Sequence, residues 1–397
     1  MCVLAVLAAG APASAAGAFR VGVGRTDITP PPPGADDPSE FASCPAAVYN
    51  GPRAFAYDEP YTDVSGDRRF NYPEPYCDAN GNGRYDGIYS SGGVDSLATR
   101  VHDPIDARAV ALNDGSTTIV YVSVVAQGLF QNYTDRMRER AITDSKAGDH
   151  APIEDMVVSA NHNESSPDTV GIYGGPETPA GVGGNSGIDA YYMTFLEKRV
   201  AAAAVQAADS VEPATLYARQ FVLPPNLHVA LSKNFPTTDD QGQPAAIDPK
   251  VGVLQARGAD GAPIVTVMSL AAHNQEVGHS KGGVRDISSD WPGYFSARLE
   301  SRLGGMAMFL VGDNGSEEDP ITVPSLAGSD ADPYPQAQAT GEALADAMVA
   351  QAPLADRLRF GALDFTRSPL TVQLENNAFK AAAAAGLFGD RPTFIAG

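Results

Sequence analysis

His162 and His273 each follow a short apolar run and each precede an asparagine, in the segments SANHNESSP (159–167) and AAHNQ (271–275). Neutral imidazoles delivered from rigid strand ends are what a divalent transition metal requires. A lone histidine is more often a hydrogen-bonded structural residue, but two at matched strand ends point towards a metal. Glu164 lies two residues beyond His162, so in an extended segment it faces the same side and can serve as a ligand or general base. Asp290, in SSDWPGY (288–294), stands ahead of a helical stretch, where a carboxylate serves either as a cap or as a proton acceptor. His279 and Ser316 are candidates for orienting a substrate, although the acidic segment around Ser316, GDNGSEEDP (312–320), also reads as a solvated loop. No Gly-x-Ser-x-Gly elbow occurs near a helix start, which argues against a serine hydrolase.

A second set of ligands is built from oxygen alone. Asp78, Asn80, Asn82 and Asp86 fill positions 1, 3, 5 and 9 of the pattern D-x-N-x-N-G-x-x-D, with Gly83 at the turn. That is the spacing of a calcium loop. Tyr89 stands at position 12 in place of the usual bidentate glutamate, so a calcium ion here would be structural and ligated partly from elsewhere. An Asn-Gly turn without metal is the alternative reading.

The elements that must hold these groups show in the periodicity. Three apolar runs, Met156–Ala160, Ile264–Ala272 and Met306–Val311, read as buried strands that end at His162, His273 and Asp313. If they lie side by side, the three polar residues gather at the carboxyl edge of one sheet, where open α/β sheets bind ligands. Phe19–Asp27 alternates as a strand, and Ala107–Leu112 and Thr117–Val125 form a hairpin about Asn113-Asp114-Gly115. Helices are expected at Thr134–Ser145, Ala190–Ala208, Tyr294–Leu303 and Ala337–Ala350, the second capped by Asp189. Between Gly34 and Val101 runs a long Pro/Gly-rich excursion, and Gly171–Gly187 is suited to a mobile lid. No sequence repeat is visible. The expected fold is α/β, with mixed β-sheets and helices packed outside, as a single domain over residues 17–397.

With 397 residues, of which 43% are hydrophobic, the chain can bury a large core. A net charge of -21 repels phosphates, which excludes a nucleic-acid partner and leaves at most a peripheral membrane contact. Residues 1–16 resemble the later part of a secretory signal, pointing to a secreted, extracellular or periplasmic protein. In such a compartment Cys44 and Cys77 would most simply form one disulfide, the alternative being two unpaired apolar side chains. The apolar Phe394-Ile395-Ala396 near the end is expected to be an interrupted segment.

With these residues laid out, the chain resembles the neutral/alkaline ceramidases, zinc amidases that are secreted or membrane-associated. Val21–Pro31 (VGVGRTDITPP) is similar to that family's opening, and SANHNESSP to its S-A-T-H-T-H-S-G-P zinc segment. Ala272-His273 with SDWPGY resembles the second histidine and the S-G-D-N-x-G-Y segment, and Gly312–Pro320 falls at the G-D-V-S-P-N serine motif. The resemblance makes His162 and His273 zinc ligands, puts Glu164 where the family has a second histidine, and makes Ser316 an approximate counterpart of its serine. The family's remaining ligands, a glutamate in P-G-E and a tyrosine, belong to a later part of the domain. It implies hydrolysis of an N-acyl amide, a ceramide-like lipid, by a zinc-activated water. The other readings are a metal-dependent phosphoesterase or esterase, and a calcium-stabilised extracellular binding protein without catalysis.

Overall fold

In β1 (Arg20–Asp27) valine and glycine alternate, and a strand turns such an alternation into two unlike faces. Val21 and Val23 point into an apolar core, while Gly22 and Gly24 lie so close to a helix that a Cβ would meet its carbonyls at 2.2 and 2.1 Å. The computed structural model describes residues 19–93, 95–175, 186–227, 229–231, 248–278, 285–314, 317–320, 332–368, 370, 373 and 375–384. After β1 come β2 (Arg100–Val101), β3 (Asp106–Asn113), β4 (Thr118–Val124), α1 (Gln131–Ser145), β5 (Asp155–Ala160), α2 (Ala190–Asp209) and β6 (Glu212–Val222). They are followed by β7 (Val229–Leu231), β8 (Lys250–Gly258), β9 (Pro263–Leu270), β10 (Asp286–Ile287), α3 (Asp290–Leu303), β11 (Met306–Val311) and β12 (Glu317–Pro320). α4 (Tyr334–Gln351), β13 (Asp356–Arg357) and α5 (Asn377–Ala384) complete the order.

The main sheet runs β11-β9-β8-β6-β1-β3-β4-β5, with β13 on the side of β6. Pairing is antiparallel except for β4 with β5 and β9 with β11, each parallel pair being joined through a helix. β1 and β6 share only the pairs Arg20↔Pro213 and Val21↔Glu212, and at this narrow joint the sheet folds on itself. Val21 and Val110 from one half then pack against Val265, Val267, Met306 and Met308 from the other. Ser123 Oγ donates to the carbonyl of Phe309 at 2.9 Å across the same gap. α1 and α2 cover the outer face of the first half, α3 and α4 that of the second. The expected mixed sheets with helices outside are thus present, as a helix-sheet-sheet-helix sandwich.

Local chemistry explains the element boundaries. Asp189 caps α2 by accepting the Tyr192 amide at 2.8 Å. In the β3–β4 hairpin the Asp114 carboxylate receives the amides of Ser116 and Thr117, and Gly115 takes φ 97°. α3 and α4 begin earlier than their apolar periodicity suggests, at Asp290 and Tyr334, because each first turn carries a proline, Pro292 and Pro335, which a helix start tolerates but which interrupts the helical pattern in the sequence. The acidic segment expected as a loop is in part strand, Glu317–Pro320 pairing with Val229–Leu231. In the excursion, a Cys44–Cys77 disulfide and a small core of Tyr61, Phe70, Tyr85, Tyr89 and Leu97 replace regular structure. Among the described residues no helix is long and apolar enough to cross a membrane. The signal-like segment 1–16, the middle of the lid segment (176–185) and residues 394–396 lie outside the described residues.

Candidate metal centre

β5 ends at Ala160, yet the backbone stays pinned beside the continuation of β4: the amides of Asn161 and Asn163 donate to Val124 and Ala126. Between them His162 adopts φ 62°, a left-handed conformation that few non-glycine residues hold without support. The support comes from the other half of the sandwich. Asn163 and Asn274 form a parallel bridge, and the Glu164 amide donates to the Asn274 carbonyl at 3.0 Å. Asn163 Oδ1 accepts the Ser165 amide at 2.8 Å, while its Nδ2 donates to the Ser288 carbonyl at 3.1 Å. Behind His273, the buried Trp291 indole donates to the His273 carbonyl at 2.8 Å and fixes that side of the site.

This bracing brings together three side chains. The rings of His162 and His273 stand 4.7 Å apart, edge to face at 76°. His162 Nε2 lies 3.4 Å from Glu164 Oε1, and one donor atom from each of His162, Glu164 and His273 falls within 4.8 Å of the others. Tetrahedral zinc with bonds of ~2.0–2.1 Å separates its ligand atoms by about 3.4 Å. The donor set and spacing therefore fit zinc with little movement. Glu164 is buried while both imidazoles remain partly exposed, so the free side of the centre faces outwards. The first expectation, two rings on neighbouring strands, needs a correction of route: β5 and β9 are not neighbours in the sheet, and their ends meet across the sandwich. Glu164 likewise reaches His162 through a left-handed turn rather than along an extended strand.

Asp290 is wholly buried and also left-handed, at φ 55°. It is the first residue of α3, and its carboxylate accepts the amides of Val277 at 2.8 Å and Trp291 at 2.6 Å. Burial pushes its carboxyl up to about 7, and the negative charges of Asp103 and Glu164 add to the effect. Asp103 holds the preceding turn through the Ser288 hydroxyl at 2.6 Å and the Ser289 amide at 2.7 Å. Asp313 is exposed and does not join the three ligands: β11 lies on the side of β9 remote from the joint with the first half. His279 and Ser316 lie outside the described residues.

Sequence reasoning missed Gln127, whose Nε2 donates to the Tyr173 hydroxyl at 2.6 Å and approaches Glu164 Oε1 at 3.4 Å. It also missed Glu276, whose carboxyl burial pushes up to about 8, with Asp290 adding, while Thr340 Oγ1 donates to it. The asparagine after each histidine was a visible signal, and those asparagines form the bridge.

The oxygen set Asp78, Asn80, Asn82 and Asp86 sits in the excursion. Asp78 accepts the amides of Asn82 and Gly83, both at 2.9 Å, and the side-chain amides of Asn80 and Asn82 turn towards Asp86 Oδ2. Glu59 ties the ends of this loop together by accepting the amides of Ala79 at 2.7 Å and Asp86 at 3.1 Å.

No known family profile matches this sequence, and no curated protein does. Comparison of folds does find similar structures. A neutral ceramidase from Pseudomonas aeruginosa superimposes with a TM-score of 0.56 at 16% identity, over 84% of this chain and 45% of that one. This chain shares its fold with neutral ceramidase. A ceramidase complexed with C2 gives a TM-score of 0.53 at 15% identity, over 84% of this chain and 44% of the other. The chain thus spans less than half the length of the ceramidase structures it matches.

Proposed function

We propose that this chain carries the metal centre of a ceramidase-like hydrolase acting on an N-acyl amide of lipid character, with zinc held by His162, Glu164 and His273. The observation that carries the reading is the convergence of two imidazoles and one carboxylate within 4.8 Å at the meeting point of two sheet edges. When bound, zinc supplies a Lewis acid that brings the pKa of water towards ~7 and polarises a carbonyl. Glu164 supplies the negative charge that two neutral imidazoles lack. Gln127, between Glu164 and Tyr173, orients that carboxylate. Asp290, raised to about 7 by burial, is suited to hold a proton behind the site at neutral pH, and the Asp103–Ser288–Ser289 turn positions it. The fold shared with neutral ceramidase supports the amide as scissile bond. A Cys44–Cys77 disulfide supports a location outside the cytoplasm.

A phosphoesterase using two ions would need a second ligand cluster beside the first; among the described residues one cluster of three His or carboxylate ligands is found. The test is zinc titration of the chelated full chain, followed by hydrolysis of a fluorogenic N-acyl amide. Zinc should bind at about one ion per chain and restore hydrolysis, and Glu164→Gln should weaken zinc binding by roughly tenfold or more. Tight zinc binding that ignores Glu164→Gln would remove Glu164 from the centre. Hydrolysis of phosphate esters in place of amides would overturn the substrate class.

A further inference from the structure

We propose that the loop Asp78–Asp86 is a calcium site, independent of the histidine centre, whose missing carboxylate comes from Asp189 at the start of α2. The loop supplies Asp78, Asn80 and Asn82 at the first, third and fifth positions and Asp86 at the ninth, with Gly83 at φ 80° making the turn. The twelfth position is Tyr89, so the loop alone cannot close a shell of oxygen ligands.

Asp189 is the independent observation. It is 2% exposed, and while Oδ1 caps α2, Oδ2 makes no hydrogen bond among the described residues. Arg84, inside the loop, donates to the carbonyls of Ser186 at 3.2 Å and Ile188 at 2.8 Å, which seats the first turn of α2 against the loop. Among the charges acting on Asp189, that of Asp86 is the strongest. Two buried carboxylates, Asp86 and Asp189, thus lie close enough for their charges to act on each other, with the exposed Asp78 in the same loop and the Arg84 guanidinium 3.2 Å from Asp86. A hard dication balances that charge. The amides of Asn80 and Asn82 already turn towards Asp86 Oδ2 while their oxygens accept the backbone amides of Asn82 at 3.1 Å and Arg84 at 3.0 Å, and a half-turn of each that exchanges those bonds for the ion presents its oxygen to the same point. Glu59 spends both oxygens on loop amides, which makes it a positioning residue. Cys77, bonded to Cys44, fixes the chain one residue before Asp78. Oxygen-only donors on a turn select calcium over zinc, and a larger, more adaptable shell selects it over magnesium.

Tyr85, buried against Phe70 with ring centroids 3.9 Å apart, lies inside the loop and can sensitise terbium as a calcium probe. The experiment titrates the chelator-treated full chain with terbium under tyrosine excitation, displaces it with calcium or magnesium, and follows Tm with each ion. Terbium emission should appear, calcium should displace it at concentrations at least about tenfold below magnesium, and calcium should raise Tm. Asp78→Ala, whose side chain is exposed and whose loss leaves the core intact, should abolish the emission. Asp189→Asn retains a cap acceptor and should weaken binding about tenfold or more while leaving zinc titration of the histidine centre unchanged. No terbium emission from the unaltered chain, or emission that survives Asp78→Ala, overturns the site. Unchanged calcium affinity in Asp189→Asn overturns the closure by α2, and equal displacement by magnesium overturns the choice of ion.

Discussion

In the first half of the sandwich β1, β3 and β4 run antiparallel, α1 crosses to the parallel β5, and α2 returns over the outer face. In the second half β6, β8 and β9 run antiparallel, α3 crosses to the parallel β11, and α4 returns over the outer face. The topology repeats although the sequence does not. The halves differ in where they place chemistry: the first carries its histidine after the crossover, beyond β5, and the second before it, beyond β9. The centre is therefore not a symmetric pair of equivalent loops. It forms because the ends of β5 and β9 are the ones that face each other when the sheet folds at the β1–β6 joint. They differ in packing too. β1 meets α2 through Gly22, Gly24 and alanines, backbone against backbone, whereas the second half fills its outer layer with Trp291, Phe295, Leu299 and Phe309.

Removing one imidazole from either half tests this division most severely. His162→Ala and His273→Ala should each weaken zinc binding by roughly a hundredfold or more, by isothermal titration, because each half supplies one neutral ligand. Asp313→Ala, at the corresponding end of β11, should leave zinc affinity unchanged; a comparable loss there would restore a symmetric site. Gly24→Ala probes the packing difference. Its Cβ would fall 2.1 Å from the Ala203 carbonyl, so α2 must shift and stability should drop by about 1–3 kcal/mol or more in urea unfolding. Zinc affinity of the folded fraction should not move, since the strand end lies elsewhere; if stability is unaffected, α2 does not sit as close as described.

The smallest effect is a pH dependence. Burial raises the Glu276 carboxyl from 4.5 to about 8, so the folded chain keeps a proton that the unfolded chain releases. Stability from this group is fully present below pH 4.5 and is lost as pH rises through about 8. Glu276→Gln, which can still accept from Thr340, removes the penalty and should be more stable than the unaltered chain at pH 9 by a few kcal/mol at most, on the order set by that shift. Near pH 4 the two should unfold at nearly the same urea concentration. A variant destabilised more at pH 9 than near pH 4 would show that Glu276 is held ionised.

Much of this was legible in one dimension. Strand against helix followed from period, because a side chain's face in a strand or helix depends on its near neighbours. The cap at Asp189, the hairpin at Asn113–Gly115, the Cys44–Cys77 bond and the His162, Glu164 and His273 cluster stood in local residue patterns. The chain order also showed that His162 and His273 end strands. It could not show that β5 and β9 meet across the fold of the sheet rather than as neighbours in it, because pairing depends on where the β1–β6 joint folds, a contact between residues some 190 positions apart. The left-handed turns at His162 and Asp290 were hidden for the same reason. Histidine and aspartate enter that region more often than most residues but adopt φ below zero by default; the Asn163–Asn274 bridge and the buried backbone bonds around Asp290 impose it. Gln127 acquires its meaning only from partners far along the chain, Glu164 and Tyr173. Residue types and their local spacing named the chemistry, and long-range packing decided which groups share a site, because distance in space is set by the folded sheet and not by separation along the backbone.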